Sequence, residues 1–458
     1  MKELLISSLL GIAVLVLDML RLRKAILPLV SLGLLALITS VIIDFGNLSN
    51  PFSNNMLLMD GFAVAAIGVI ATLTLLWFLL TADSYTAQAR RTDLYALVLF
   101  SMAGAVILAS YTNLVMMFIG IEILSIPLYV LAASDRTNPI SNEAGFKYFF
   151  LGSVASAILL FGIALVYGAT GTFDFVELSG RLSSPTSGLL LTAGMALIFS
   201  GFAFKVSAAP FHFWTPDVYQ GAPTPITAFM SSVVKAAGFF ALFRLASGPF
   251  ASRMADFTEL IAALAALTLV VSNITAAVQD NVKRMLAFSS ISHAGFMLAA
   301  IIISPKGDPG ILLYYALVYG VASIGSFVVI HVVSSYQDGA MDYKSFNGLA
   351  RRNPYLAAAM TVALLSMAGL PPLAGFMAKY FVISSVLAGG MTWLAVVMIL
   401  TSVVGVYYYL RVVIAMFTPV ENAGRIVVGK GQHFLLVAIS LGLIVLFFAA
   451  GLFMNLKL

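Results

Sequence analysis

Lys205, Lys235 and Lys379 each lie inside a long apolar run of the chain. Glu122 and His293 share that setting, and His212 follows Lys205 closely. A charged side chain at the centre of a bilayer costs roughly 2.5–3.5 kcal/mol on insertion scales, so each such residue is a functional candidate. Lysine suits proton relay, because desolvation favours its neutral form and a nearby carboxylate restores the charged one. Moving an acid, or admitting water, then switches the proton. Histidine adds a group that titrates near neutral pH. Residues of these types, spread over many apolar segments, point to the movement of protons or cations through a membrane.

Each residue also has a plainer reading. Glu122, in Phe118-Ile-Gly-Ile-Glu-Ile-Leu-Ser-Ile-Pro, lies about eleven residues from either end of its expected helix. At about 1.5 Å per residue that is near the midplane. It reads as a counter-ion that tunes Lys205, or as one half of a static buried pair. Lys205 and Lys235 are too deep to snorkel easily. Lys379 is either a terminal proton donor facing the exterior or a side chain snorkelling to the outer surface. His293, in Ser289-Ser-Ile-Ser-His-Ala-Gly, and His212 either relay protons or are hydrogen-bonded within the bundle. Ser289, Ser290 and Ser292 would hold water nearby or serve as packing contacts. Arg244 and Arg411, close to helix ends, read as snorkelling side chains, and Glu143 with Lys147 as an ordinary i,i+4 pair.

The elements that must position these groups follow from composition. Of 458 residues, 61% are hydrophobic and 9% charged, far from the roughly 25% charged of soluble proteins. Mean hydropathy is +1.04, and apolar stretches long enough to span a bilayer recur along the whole length. The expected fold is an all-α polytopic membrane protein. Fourteen helices are expected, at about 4–20, 25–43, 57–80, 93–109, 111–133, 143–170, 187–217, 225–246, 256–278, 284–303, 310–335, 355–387, 391–417 and 433–455. The basic residues are scattered in short loops, which does not suggest nucleic acid as a partner. The absence of cysteine excludes disulfides, cysteine-ligated clusters and thiol chemistry. Lys2 to Leu20 lacks a small-residue cleavage site and runs into Arg21, Arg23 and Lys24, so it reads as a retained first helix.

Loop charges orient the fold. Thirteen basic residues (Arg21, Arg23, Lys24, Arg90, Arg91, Arg136, Lys283, Arg284, Lys344, Arg351, Arg352, Arg425 and Lys430) fall on one side. Five (Lys2, Arg181, Arg253, Lys306 and Lys457) fall on the other. The rule that cytoplasmic loops are the more basic places both termini outside. The seventh and twelfth segments exceed 30 residues and carry interior prolines, Pro210 in one and Pro371 with Pro372 in the other. Proline removes a helical hydrogen bond and clashes with the turn before it, so both helices should break there. Taken as units of five helices, residues 93–246 and 256–417 place Pro210 and Pro371 at 117 and 115 residues from their starts. An odd helix number inverts the second copy, and matched broken helices are the sequence pointer to an inverted-repeat transporter. Residues 1–92 then form an N-terminal three-helix unit, and residues 418–458 carry helix 14. No dinucleotide fingerprint, P-loop, haem-attachment motif or metal-ligand cluster occurs, so no metal site and no redox or hydrolytic chemistry is expected on the chain itself.

Phe204-Lys-Val-Ser-Ala-Ala-Pro-Phe-His-Phe-Trp-Thr-Pro-Asp-Val-Tyr-Gln-Gly-Ala-Pro-Thr-Pro-Ile-Thr-Ala resembles the central signature of the antiporter-like subunits of respiratory complex I. Gly120-Ile-Glu-Ile-Leu-Ser-Ile-Pro-Leu-Tyr, Lys283-Arg-Met-Leu-Ala-Phe-Ser-Ser-Ile-Ser-His-Ala-Gly and Gly369-Leu-Pro-Pro-Leu-Ala-Gly-Phe-Met-Ala-Lys extend the likeness over roughly residues 55–420. The resemblance implies fourteen helices, two inverted five-helix repeats, discontinuous helices 7 and 12, and one proton-translocating unit. The family's relay glutamate falls on Glu122, its helix 7 and helix 8 lysines on Lys205 and Lys235, and its helix 12 terminal residue on Lys379. A lysine at that last position favours the N-type over the M-type subunits of the NADH-quinone oxidoreductase. The chain stops soon after helix 14, without the lateral helix of L-type subunits. Helix 10 offers His293 where helix 5 offers Glu122.

The resemblance further implies a translocase subunit in a bacterial or archaeal cytoplasmic membrane, with no cofactor of its own. NADH, FMN, iron-sulfur clusters and quinone are expected in partner subunits. The partners are other antiporter-like and small membrane subunits of the membrane arm, and the lipid bilayer. Three alternatives stay open: a subunit of a multisubunit sodium/proton antiporter, a subunit of a ferredoxin- or hydrogen-fed complex, and a membrane-arm scaffold.

Overall fold

The computed structural model describes residues 2–45, 56–81, 91–182, 188–303, 308–337, 339–420, 424–454 and 456. Arg90, Lys306 and Lys457, counted in the charge asymmetry, lie outside the described residues. The described residues are almost all helical. The N-terminal group is α1 (Lys2–Met19), α2 (Ile26–Phe45) and α3 (Gly61–Thr81). Then come α4 (Arg91–Ser110), α5 (Leu114–Ala132), α6 (Pro139–Thr170), a short α7 (Phe175–Leu182), α8 (Leu189–Lys205), α9 (Trp214–Gly221), α10 (Thr224–Phe229) and α11 (Lys235–Ser247). The second half holds α12 (Met254–Ala277), α13 (Val282–Ile303), α14 (Pro309–Ser335), α15 (Leu349–Arg352), α16 (Pro354–Ala368), α17 (Ala374–Ala388), α18 (Thr392–Phe417), α19 (Lys430–Phe448) and α20 (Ala450–Met454).

Eleven helical stretches among the described residues are long and apolar enough to cross a membrane. The other three expected spans are α1, which carries Lys2, Glu3 and Asp18, and the two broken helices. Starts and stops have local causes. Asn113 and Asn138 accept the Val115 and Ile140 N–H groups at the heads of α5 and α6, and left-handed Gly171 ends α6. The spans Thr224–Ser247, Val282–Ile302 and Pro309–Ser335 are buried along nearly all their length. These form the centre of the bundle. A helix apolar all round is a core helix when its neighbours cover it, and here α12, α16, α18 and α19 supply the outer layer.

The expected seventh helix is two pieces, α8 and α9, separated by residues 206–213. The expected twelfth is α16 and α17, separated by residues 369–373. Both gaps contain the predicted prolines, and each carries one cis peptide, at Ala209–Pro210 and at Pro371–Pro372. Backbone groups freed at this depth need protein partners. The Trp214 indole donates to the Phe204 carbonyl at 3.1 Å, and the Ala209 N–H donates to Thr268 Oγ1 at 2.9 Å. At the second break the Gly375 N–H donates to Ser366 Oγ at 3.1 Å.

Three features differ from expectation. The eighth span, expected as one helix over 225–246, contains a π-helical turn, Met230–Val234, immediately before Lys235. The last, expected over 433–455, divides into α19 and α20. α7 fell inside an expected loop; it buries Phe175, Leu178 and Leu182 and leaves Val176 exposed.

Two corners share one design. Asn113 bridges to Asp174, and Asn281 bridges to Asp342; both pairs are 61 residues apart and the second lies 168 residues after the first. Leu114 N–H donates to the Phe173 carbonyl, as Val282 N–H does to the Met341 carbonyl. Counting on from the bridges, Glu122 matches Ser290 and Ser125 matches His293. The expectation that His293 stands where helix 5 has Glu122 is therefore off by one helical turn.

The second break depends on close backbone crossing. A Cβ on Gly375 would stand 1.8 Å from the Ser366 carbonyl oxygen, so only glycine fits. Gly375→Ala is expected to cost about 1–3 kcal/mol through overpacking and to lower the thermal unfolding midpoint of the detergent-solubilised chain. Gly442→Ala, in open space, is the control expected to leave it unchanged.

Candidate functional site

The breaks set the lysines at helix ends. Lys205 is the last residue of α8, where the open carbonyls of a helix C-terminus favour a cation. Its Nζ donates to Ser125 Oγ of α5 at 2.7 Å, and its aliphatic stem packs beside Gly238 of α11. Lys379 lies in α17, and its Nζ donates at 3.0 Å to the carbonyl of Ala368, the last residue of α16. Its ammonium also faces the Phe296 ring at 5.2 Å. It is buried and turned back to the break, not out to the membrane surface as the snorkelling alternative required.

Lys235 follows the π turn and reaches across to α13. Its Nζ donates to the Ser290 carbonyl at 2.8 Å and to Ser290 Oγ at 2.6 Å. One turn along α13, His293 Nδ1 lies 2.8 Å from the Tyr315 hydroxyl, and Nε2 lies 3.2 Å from the Tyr409 hydroxyl. Tyr409 also bonds Ser289, while Tyr408 donates to Asn273 Oδ1 at 3.0 Å and Asn273 Nδ2 donates to Ser292 Oγ at 2.7 Å. A cavity of about 10 Å³ borders His293, Tyr315, Tyr319, Ser366, Gly375 and Ala378. That is room for about one water, between the histidine and the turn that carries Lys379.

Glu122 is not joined to Lys205 by an ion pair. Its Oε1 accepts from Ser156 Oγ of α6 at 2.5 Å, and Lys205 instead meets Ser125, one turn along α5. Ser125 takes that place because it is buried on the face toward α8, whereas Glu122 is partly exposed on the outer face of α5. His212 stands apart inside the first break. It is buried, stacked on Phe213, and its Nδ1 has no hydrogen-bond partner.

Several polar groups were missed or misread in the sequence. Lys283, counted as a loop charge, is fully buried and donates to the Ala222 carbonyl at 2.5 Å and the Gln220 carbonyl at 3.2 Å, at the end of α9. The Glu143–Lys147 pair is part of a network: Lys147 also meets Asp217 at 2.8 Å, and Asp217 meets Arg284 at 2.8 Å. Arg244, read as snorkelling, is buried, and its Nε, Nη1 and Nη2 each bond a protein oxygen. Asn273, an amide inside an apolar helix, was the one available signal for the tyrosine cluster.

Hydroxyls both donate and accept, so serines and tyrosines between lysines and a histidine can pass a proton by exchange. Among the described residues no group of three or more His, Cys, Asp or Glu side chains is placed to hold a metal ion. Removing the Ser125 hydroxyl would leave the Lys205 ammonium without its side-chain partner. Ser125→Ala is expected to cost about 1–3 kcal/mol, read as a lower unfolding midpoint, while the exposed Ser153→Ala, whose hydroxyl only back-bonds to Phe149, leaves it unchanged.

Comparison with known proteins places the fold and the family. Residues 111–405 match the family described as NADH:quinone oxidoreductase/Mrp antiporter, transmembrane. The NADH-quinone oxidoreductase subunit N of Cytophaga hutchinsonii is 40% identical over 460 residues, covering 100% of this chain and 99% of the relative. A chain of respiratory complex I from Thermus thermophilus, solved with bound aureothin, superposes with a TM-score of 0.85 at 34% identity, covering 98% of each chain. A chain of the Mrp complex from Dietzia sp. DQ12-45-1b shares the fold, with a TM-score of 0.88 at 20% identity over 99% of this chain and 95% of that one. The chain belongs to the NADH:quinone oxidoreductase/Mrp antiporter membrane family, in its NADH-quinone oxidoreductase subunit N branch.

Proposed function

We propose that the chain carries protons across the membrane as an antiporter-like subunit of a complex I-type NADH-quinone oxidoreductase. The observation that carries this reading is the set of buried lysines and hydroxyls between the two helix breaks, above all Lys235 bonded to Ser290 one turn from His293. A proton gained at Lys205 passes to Lys235, through the hydroxyls around His293, and across the small cavity to Lys379. Glu122 lies one turn of α5 from Ser125, the partner of Lys205, so a change at Glu122 alters the field on the lysine without a direct contact. At 100 mV each proton moved outward costs about 2.3 kcal/mol, and the chain has no energy source of its own. Electron transfer in partner subunits, which hold the NADH, FMN, iron-sulfur and quinone sites, supplies it.

The basic loops orient the chain in a bacterial cytoplasmic membrane with both termini outside. Glu122, half-exposed at mid-membrane in the lone chain, requires cover from a neighbouring membrane-arm subunit, because a lipid-facing carboxylate is costly. His212 remains a second candidate in the relay.

Lys235→Ala in the assembled complex is expected to abolish proton pumping in sealed vesicles while the complex still assembles. Unchanged pumping would sink the relay. If the purified chain, reconstituted alone, instead gave a sodium-driven pH change without any electron donor, the multisubunit antiporter reading would replace this one. Normal pumping with Glu122, Lys205 and Lys379 all replaced would leave only a scaffold.

A further inference from the structure

Arg244 and Arg411 lie 167 residues apart, almost the 168-residue spacing of the two bridged corners. Their surroundings match. Arg244, on α11, donates through Nε to the Tyr111 carbonyl at 2.8 Å, two residues before bridging Asn113. Arg411, on α18, donates through Nη1 to the Gln279 carbonyl at 3.4 Å, two residues before bridging Asn281, and to the Ala277 carbonyl at 2.9 Å. The residue after each bridging aspartate is aromatic. Phe175 lines a cavity together with Arg244, and the Arg411 guanidinium lies 4.2 Å from the Tyr343 ring centroid. Each arginine also meets an acid: Asp60 on both guanidinium arms at 3.1 Å for Arg244, and Asp280 at 3.8 Å for Arg411. By the loop charges the two corners face opposite sides of the membrane.

Each corner is the point from which a site-bearing helix enters. Leu114 opens α5, with Glu122 and Ser125; Val282 opens α13, with Ser290 and His293. Both arginine-bearing helices bring polar groups to α13: Lys235 of α11 meets Ser290, and Tyr409 of α18 meets Ser289 and His293. Lys235 lies on α11, nine residues before Arg244, and Tyr408 and Tyr409 lie on α18, just before Arg411. A guanidinium presents its donors in a fixed fork, so these bonds hold the depth of one helix against another, not merely their proximity.

We infer that Arg244 and Arg411 are an inverted pair of register locks, positioning residues that set the depth of α11 and α18 against the α5 and α13 corners. Through that depth they align the polar side chains that α11 and α18 both carry to α13. The two locks are not equal. Arg244 is buried and also bonds the Leu58 carbonyl at 3.2 Å, tying in the segment before α3. Arg411 is partly exposed and its acid is open to solvent. The looser lock sits on the half that carries His293.

The functional consequence rests on the proton route proposed above, so the test has a readout independent of pumping. The chain has no cysteine, and Leu260 on α12 and Leu400 on α18 are exposed. Spin labels on Leu260→Cys and Leu400→Cys report the depth of α18 by pulsed electron resonance. Arg411→Met is expected to shift the label distance by about 1.5 Å or more, one residue's rise along a helix. It should also lower pumping by the assembled complex roughly tenfold, as small misplacements of reacting groups do. Arg411→Lys, keeping the charge but not the fork, should recover part of both. Arg411→Gln gives the same two readouts if the methionine variant does not insert. An unchanged distance overturns the lock at Arg411, whatever pumping does. A shifted distance with normal pumping supports the lock and counts against the proton route. Arg244→Gln should also lower pumping in complexes assembled at normal levels, and normal pumping there removes Arg244 from the pair.

Discussion

The fold depends on a mutual need between buried ammonium groups and opened helix ends. Breaking a helix inside a membrane strands carbonyl groups that water cannot reach, and burying a lysine strands N–H groups in the same way. The chain satisfies each with the other. Lys379 donates to the carbonyl that ends α16, and Lys283 donates to the carbonyls that end α9. Lys205 ends α8 itself. A positive group at a helix C-terminus gains from the aligned peptide dipoles, so the break and the charge stabilise one another. Neither a continuous helix with a lysine at mid-depth nor a broken helix without one would be equally comfortable.

Lys205, Lys235 and His293 each meet hydroxyls instead of direct ion-pair partners. Ser125 stands at Lys205, Ser290 at Lys235, and Tyr315 and Tyr409 at His293. A buried ion pair is stable but hard to open, because separating it leaves an uncompensated charge. A hydroxyl accepts from a charged lysine and donates to a neutral one by rotating a single bond. Such a site holds either protonation state without rebuilding its surroundings. The π-helical turn before Lys235 fits the same setting, since these turns are frequent at functional positions in helices.

Much of this was legible in the sequence. Composition gave the class, and interior prolines in two overlong segments located both breaks to within a few residues. The lysines stood out because apolar runs leave charge nowhere to hide. What was not legible was direction. An eleven-residue count placed Glu122 near the midplane, but not on the outer face of α5, and so the expected contact with Lys205 is made by Ser125 instead, while Glu122 meets Ser156. Lys283 was misplaced because a lysine at a helix start looks the same in sequence whether it faces water or folds back under a neighbouring helix end. Arg244 was misread for the same reason. The π turn had no signal, since Met-Ser-Ser-Val-Val is compatible with an ordinary helix, and the tyrosine cluster assembles from α14 and α18, which lie far apart in the chain.

The partial exposure of Glu122 has a bearing on how the surface around it can change. Ile119, Ile123, Ile126 and Val130 on α5 and Phe146, Phe149, Phe150 and Val154 on α6 form an exposed apolar face with that carboxylate and Ser156 set in it. Facing lipid alone, such a surface would accept almost any apolar replacement. With an acid in its middle, the dielectric surroundings of the carboxylate are set partly by whatever lies against the face. Substitutions on this patch thus act on the electrostatics of α5 from outside the chain, and the identity of its neighbour becomes, in effect, part of the acid's solvent.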